Sequence, residues 1–258
     1  MNSKQKKMIV IGDVHGCLDE LKMLLDKVGY DKEVDRAIVA GDAVDRGPDS
    51  PGVVRFMREN GIEFVKGNHD TKLLRRADHM HRVATRPGYR NPMKYSPDQE
   101  STVKALSGAE ISWMDSCPFY IELATHNAFV VHAGVVPGIP MDRQTPEALT
   151  MCRYVCEKTN KMMAMKMPGF IQPEGSVFWA EKYQGNHDII FGHQVLSLEE
   201  VIVWENEVGA RCYAIDTGCC FGGRLTALVT TDDKPGDWDI VQVQANKVYF
   251  PRGETHSQ

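Results

Sequence analysis

The amino-acid sequence predicts an α/β fold with parallel strands and crossover helices, on three observations. Apolar runs of strand length occur at Met8 to Ile11, Ala37 to Ala40 and Ile62 to Val65. Helical signals separate them. Each run is followed, directly or within a residue, by glycine and then Asp or Asn, as in "MIVIGD", "AIVAGD" and "EFVKGN". A β-α-β-α-β order of this kind favours parallel pairing, because a tight hairpin cannot join parallel strands.

The elements follow in order. After the first run, Leu18, Leu21, Leu24, Leu25 and Val28 share one helical face until Gly29 ends the pattern. The second helix is announced by Ser50 as N-cap, Pro51 at its first position and Gly61 past its end. Residues 72–120 change character, being rich in Arg, His, Pro and Gly. A helix is expected there near Ser101 to Leu106, and a loop through "RPGYRNPMKYSPD". Strands are expected again at Ala128 to Val131, Ile189 to Phe191, Cys212 to Ile215, Leu225 to Thr230 and Asp239 to Val243. Between them, Thr145 to Met165 reads as a helix, and the methionines of "KMMAMKM" read as packing or as a flap.

Bulk properties narrow the function classes. The chain has 258 residues, 42% hydrophobic and 25% charged, enough for one large core. We expect a single domain over 1–258, with 72–120 and 142–185 as substrate-recognition insertions. The net charge of −5 excludes a global basic field for nucleic acid, and no sequence-specific nucleic-acid partner is expected. No apolar run approaches the ~20 residues that span a bilayer, and the run at Met8 meets Asp13 too early for a signal-peptide core. The seven cysteines are odd in number and scattered; Cys152 and Cys156 lack the two-residue redox spacing. Reduced thiols in a cytoplasmic protein, with no membrane partner, are the expectation.

The chemistry lies at the ends of the strands. "GDVHG", "GDAVDRG", "GNHD", "HAG" and "GH" each come directly after a strand-like run, so their polar side chains sit at strand carboxyl ends, where open α/β sheets bind ligands. Asp, His and Asn without thiolate form a donor set for borderline-to-hard divalent ions such as Mn2+, Fe2+ or Zn2+. A carboxylate has two oxygens, and Asp42, on the central strand end, is the natural bridge between two ions. Such ions also explain why acidic residues gather there.

In this order the motifs resemble the metal-binding signature of PPP-type phosphoprotein phosphatases within the calcineurin-like metallophosphoesterases. "AIDTGCCFGGRLTAL" is similar to the ending of bacterial members, including symmetrical diadenosine tetraphosphate hydrolases and phage-type protein phosphatases. The resemblance implies two mixed β-sheets in a sandwich flanked by helices. It implies that Asp13, His15 and Asp42 hold one divalent ion and that Asp42, Asn68, His132 and His193 hold the other. Mn2+ is the first expectation, with Fe, Zn, Co or Ni as alternatives. Arg46 would clamp phosphoryl oxygens, and His69, oriented by Asp70, would protonate the leaving group. A metal-bridging hydroxide would attack phosphorus in line. A second phosphate-binding arginine is expected after "HAG", and Arg153 is the candidate.

Several look-alikes are set aside. A second "GNHD", Gly185 to Asp188, precedes its strand and so belongs at the opposite sheet end. Asp45 and Asp49 read as loop caps or arginine partners. His79, His81 and His126 read as surface or substrate-region residues, and Asp216 as support for a turn near His193. Lys72, Arg75, Arg76, Arg82, Arg86, Arg90 and Lys94 form a basic stretch, either a solvated face or an attractor for an anionic substrate. The expected substrate is a phosphomonoester, as on a phosphorylated protein, or a dinucleoside polyphosphate. Asp70 in place of the Glu of "GNHE" leans toward the nucleotide branch. A catalytically silent nucleotide-binding or regulatory module is the alternative, but the Rossmann and phosphate-loop patterns are absent and no expected ligand is missing.

Overall fold

The computed structural model describes residues 6–165 and 171–252. The elements run β1 (Lys7–Ile11), α1 (Leu18–Val28), β2 (Arg36–Val39), α2 (Ser50–Glu59), β3 (Glu63–Phe64), α3 (Asn68–Thr85), α4 (Pro97–Ala105), α5 (Gly108–Ser116), β4 (Tyr120–Leu123) and β5 (Ala128–Val131). They continue as α6 (Pro146–Met151), β6 (Tyr154–Cys156), β7 (Met162–Met163), β8 (Ser176–Phe178), β9 (Asp188–Phe191), β10 (Ile202–Glu205), β11 (Arg211–Ala214), β12 (Arg224–Thr231) and β13 (Asp239–Gln244). One mixed sheet has the order β13-β12-β1-β2-β3, and a second mixed sheet the order β10-β11-β9-β5-β4.

Apolar faces decide how these layers stack. In β1, Met8 and Val10 point into a core shared with Val130 and Ile190 of the second sheet, whereas Ile9 and Ile11 point to Leu21 and Leu24 of α1 and Val53 and Met57 of α2. A strand buried on both faces reads as a continuous apolar run, which is why "MIVI" and "AIVA" were legible. The outer face of the second sheet packs Phe191 and Cys212 against Leu149, Phe178 and Trp179. Trp179 is fully buried, its indole N–H donating to Ala133 O at 3.2 Å and its ring 4.9 Å from that of Phe191. Trp179→Ala is expected to cost about 3–5 kcal/mol, read as a lower urea midpoint at constant slope.

Four expectations change. The helix read over Thr145 to Met165 ends at Met151. The chain then forms β6, which pairs with β7 on one side and β8 on the other in a third, small sheet. Here Tyr154, Val155 and Cys156 alternate in burial, and Asn160, at φ 54°, takes part in the reversal between β6 and β7. The last part of "KMMAMKM" lies outside the described residues. The second helix is capped by Asp49 rather than Ser50: Pro51 has no N–H, and Asp49 Oδ1 accepts from Gly52 N at 2.8 Å. Residues 72–85 belong to α3, a helix of 18 residues beginning inside "GNHD" itself. Finally, β4 and β10 are the two edges of the second sheet, where alternate side chains face outward and weaken the apolar signal.

Candidate active site

Parallel strands β1, β2 and β3 of one sheet and β5 and β9 of the other end in the expected motifs, and the motifs meet. The turns that aim them are strained. Among the described residues the non-glycine positions with positive φ are His15, Asp42, Asp45, Arg46 and His193, together with Asn127 and Asn160 in turns elsewhere. A left-handed backbone at such residues costs roughly 1–3 kcal/mol each, and strain of this kind concentrates at functional sites. Two glycines let the groups approach: a Cβ on Gly192 would overlap Asp13 Oδ1, and one on Gly67 would overlap Asp42 Oδ1.

Asp42, 2% exposed, stands at the centre. Its Oδ2 lies 3.6 Å from His15 Nε2 and 3.4 Å from His132 Nε2, and its Oδ1 accepts from His69 N at 2.9 Å. His15 Nδ1 donates to Val44 O at 2.8 Å and His132 Nδ1 to Ala40 O at 2.9 Å. Both rings thus turn Nε2 toward the Asp42 carboxylate; burial lowers the pKa of His132, but Asp42 outweighs burial and raises it overall. Asn68 Oδ1 and His193 Nδ1 lie 3.0 and 3.1 Å from His132 Nε2, while His193 Nε2 is buried without a hydrogen-bond partner. Of the three groups among the described residues whose donor atoms all lie within 4.8 Å of one another, two are here, His15 with Asp42 and His69, and Asp42 with His132 and His193; the third is Cys17 with Glu20 and Cys219. Asp42 belongs to both groups at this site. Asp13 adjoins His15, with Oδ2 3.9 Å from His15 Nε2, and accepts from His193 N at 3.1 Å. Crowded oxygen and imidazole donors of this kind, several of them held by backbone bonds, fit divalent cations.

The electrostatics agree. Burial, then the Asp216 and Asp42 carboxylates, push the Asp13 carboxyl well above its ordinary range. Burial raises Asp42 too, but the His132, His69 and His15 rings outweigh it and hold that carboxyl well below its ordinary range. Burial, then Arg46, lowers His15, and burial, then Arg153, lowers His193, so both imidazoles are neutral ligands in character. A bound cation would favour the charged form of the Asp13 carboxyl that burial now disfavours.

Arg46 Nη1 lies 2.6 Å from His15 Nε2 and Nη2 lies 3.0 Å from His69 Nε2, with the guanidinium over the Phe221 ring at 5.1 Å. His69 requires a correction. The carboxylate on its Nδ1 is Asp45, at 2.7 Å, and not Asp70. Asp70 is committed to the backbone: its two oxygens accept from Ala43 N at 3.1 Å and Gly67 N at 2.9 Å, closing the start of α3. Burial, then Asp42, raises Asp70 to about 7. Asp45 thus partners a histidine, whereas the sequence suggested a cap or an arginine partner; Asp49 is a cap, as expected. Arg153 lies between α6 and β6, not on the helix. Burial lowers its pKa, which the Asp42 carboxylate raises and Arg46 lowers further.

A family comparison now bears on this geometry. The model of the calcineurin-like phosphoesterase family matches residues 6–223, most of the chain. The chain belongs to the calcineurin-like phosphoesterases. It is a hydrolase, and membership implies divalent metal ions. It is 32% identical to a symmetrical bis(5'-nucleosyl)-tetraphosphatase of Pectobacterium carotovorum subsp. carotovorum, over 87% of this chain and 92% of that one. It is 30% identical to the asymmetrical bis(5'-nucleosyl)-tetraphosphatase PrpE of Bacillus velezensis, over 85% and 87%. A solved structure of a candidate diadenosine tetraphosphatase superposes with a TM-score of 0.73 at 28% identity, covering 95% of each chain. A Saccharomyces cerevisiae serine/threonine phosphatase shares the fold, with a TM-score of 0.56 at 17% identity over 96% of this chain and 82% of that one.

Within this phosphoesterase the look-alikes separate. The second "GNHD" sits at the start of β9, with the His187 ring 4.9 Å from Phe129 and Asp188 Oδ1 accepting from Arg211 N at 2.8 Å. It is thus one strand length from His193, and His187→Asn is expected to leave kcat and KM unchanged within twofold. His81 is exposed and His79 donates to or accepts from Tyr89 at 2.5 Å, but His126 is buried against Trp238, not on the surface. Asp216 supports its own turn, accepting from Gly218 N at 3.0 Å, and its Oδ2 is buried without a hydrogen-bond partner. Of the basic stretch, Arg76 is 2% exposed and leaves the surface set, and Arg82 pairs with Asp78. All seven cysteines are free. No helix among the described residues is long and apolar enough to cross a membrane.

Proposed function

We propose that this phosphoesterase is a binuclear hydrolase of dinucleoside polyphosphates, with Asp13, His15 and Asp42 holding one ion and Asp42, Asn68, His132 and His193 the other. The observation that carries the binuclear reading is that Asp42 belongs to both of the His/Asp groups at the site. Near full-length likeness to bis(5'-nucleosyl)-tetraphosphatases supports the substrate class. The donor set suits Mn2+, and the free thiols suit a cytoplasmic setting.

When bound, the ions would supply an acidified water and neutralise phosphoryl charge. The chain does the rest. Arg46 offers its planar fork to phosphoryl oxygens, and Arg153, just before β6, offers a second positive charge. With Nδ1 held on Asp45, Nε2 faces the reaction, and once it has taken a proton from water His69 would pass that proton to the leaving oxygen. Phosphoryl oxygens compete for the guanidinium that now donates to His69 Nε2, so substrate binding itself would free that nitrogen. The insertions 72–120 and 142–185 would select the substrate, the first through exposed Arg75, Arg86 and Arg90.

The test is a parallel assay of Mn2+-loaded protein on diadenosine tetraphosphate, a phosphothreonine peptide and an aryl phosphate. Preference for diadenosine tetraphosphate is expected. ADP as sole nucleotide product marks symmetrical cleavage, and ATP with AMP asymmetrical cleavage. Preference for the peptide would replace this substrate with a phosphoprotein.

A further inference from the structure

Gln99 is 4% exposed, on α4, far in sequence from every strand-end motif. Its amide orientation is fixed by chemistry. Oε1 lies 2.9 Å from Arg76 Nε, and a guanidinium can only donate, so Oε1 is the acceptor and Nε2 the donor. Gln99 Nε2 donates to Asp45 Oδ2 at 2.7 Å, and that same oxygen accepts from His69 Nδ1 at 2.7 Å. Behind Gln99, Arg76 is anchored by Nη2 on Lys94 O at 2.9 Å, with Nη1 3.6 Å from Glu100. His69 and Arg76 are both on α3, two helical turns apart and so on one face. The bonds His69–Asp45–Gln99–Arg76 therefore close a ring whose spine is α3.

Resting on the hydrolase reading, we propose that Gln99 is a positioning residue for the proton donor, holding Asp45 against His69, with Arg76 fixing Gln99 in turn. Asp45 sits in a left-handed turn at φ 72° and needs such a hold, since a carboxylate free to rotate would leave the imidazole unaligned. The arrangement also gives the 72–120 segment a second task. It ties α4 and the Lys94 backbone to the Nδ1 side of His69, opposite the reacting Nε2.

The variants are Gln99→Met, which keeps length and removes both polar contacts, and Gln99→Glu, which keeps the acceptor for Arg76 and removes the donor to Asp45. Each is assayed on aryl phosphates whose leaving groups range from phenol to 2,4-dinitrophenol. Help from a proton donor matters most for the poor leaving group. We expect kcat on phenyl phosphate to fall about tenfold and on 2,4-dinitrophenyl phosphate by less than twofold, with KM unchanged. In a His69→Asn background the Gln99 change should add nothing. In Zn2+-loaded protein carrying 15N-histidine, the His69 Nδ1 proton resonance should shift in both variants. Equal losses across the series, a full loss persisting without His69, or an unmoved resonance would each overturn the proposal. If the unaltered chain hydrolyses no ester while that resonance still moves with Gln99, the hydrolase reading falls, and with it the catalytic half of this proposal.

Discussion

Asp42→Asn is expected to remove both metal retention and hydrolysis, with metal per chain falling below half and kcat by at least a thousandfold. The substitution is nearly isosteric, and Asn tolerates the left-handed backbone that Asp42 adopts at φ 48°, so the fold should persist. The change is electrical. Asp42 is the carboxylate common to both donor groups at the site, with His15 Nε2 and His132 Nε2 within 3.6 Å of one oxygen. An amide keeps one acceptor and turns a donor toward ring nitrogens that already face inward. Asp13 would then be the remaining charge of the pair, and its carboxyl is already pushed up by burial and by Asp216. Elemental analysis after desalting, beside circular dichroism, is the measurement. Full metal content with ordinary turnover would show that the ions, or the chemistry, lie elsewhere.

The convergence of Asp13, His15, Asp42, Asn68, His132 and His193 was legible because strand phase is a local signal. An apolar run followed by glycine and a polar residue fixes which sheet end that residue occupies, and parallel strands share their ends. The same logic rightly placed His187 at the far end. What was not legible depends on contacts between distant segments. Nothing in the spacing of "VDRG" distinguishes a cap from a histidine partner, so Asp45 and Asp70 exchanged roles: the helix α3 starts inside "GNHD" and turns Asp70 back onto Gly67 N. Gln99 is hidden for a similar reason, since one glutamine on a helix with a weak apolar face carries no periodic signal. The mistaken helix over Thr145 to Met165 arose where methionines fit either period, and only pairing with β8 decides for strands. The edge strands β4 and β10 escaped because half of each faces outward.

His69→Asn, by contrast with Asp42→Asn, is expected to keep the metal and lower kcat by about 10²–10³, within the range for loss of a positioned proton donor. Both ring nitrogens of His69 are engaged, Nδ1 by Asp45 and Nε2 by Arg46. With Nδ1 taken by Asp45, Nε2 is the nitrogen that could serve either as proton donor or, since His69 belongs to one of the site's two donor groups by distance, as a ligand. Metal content therefore decides between the two roles. If His69→Asn loses an ion in the manner of Asp42→Asn, His69 is a ligand and the proton must come from another group. Retained metal with a lowered kcat leaves His69 as the donor. Asp45→Asn should then fall between the unaltered chain and His69→Asn, because an amide oxygen still accepts from Nδ1 but lacks the charge that stabilises the protonated ring. A loss in Asp45→Asn exceeding that in His69→Asn would mean that Asp45 acts on something other than the imidazole.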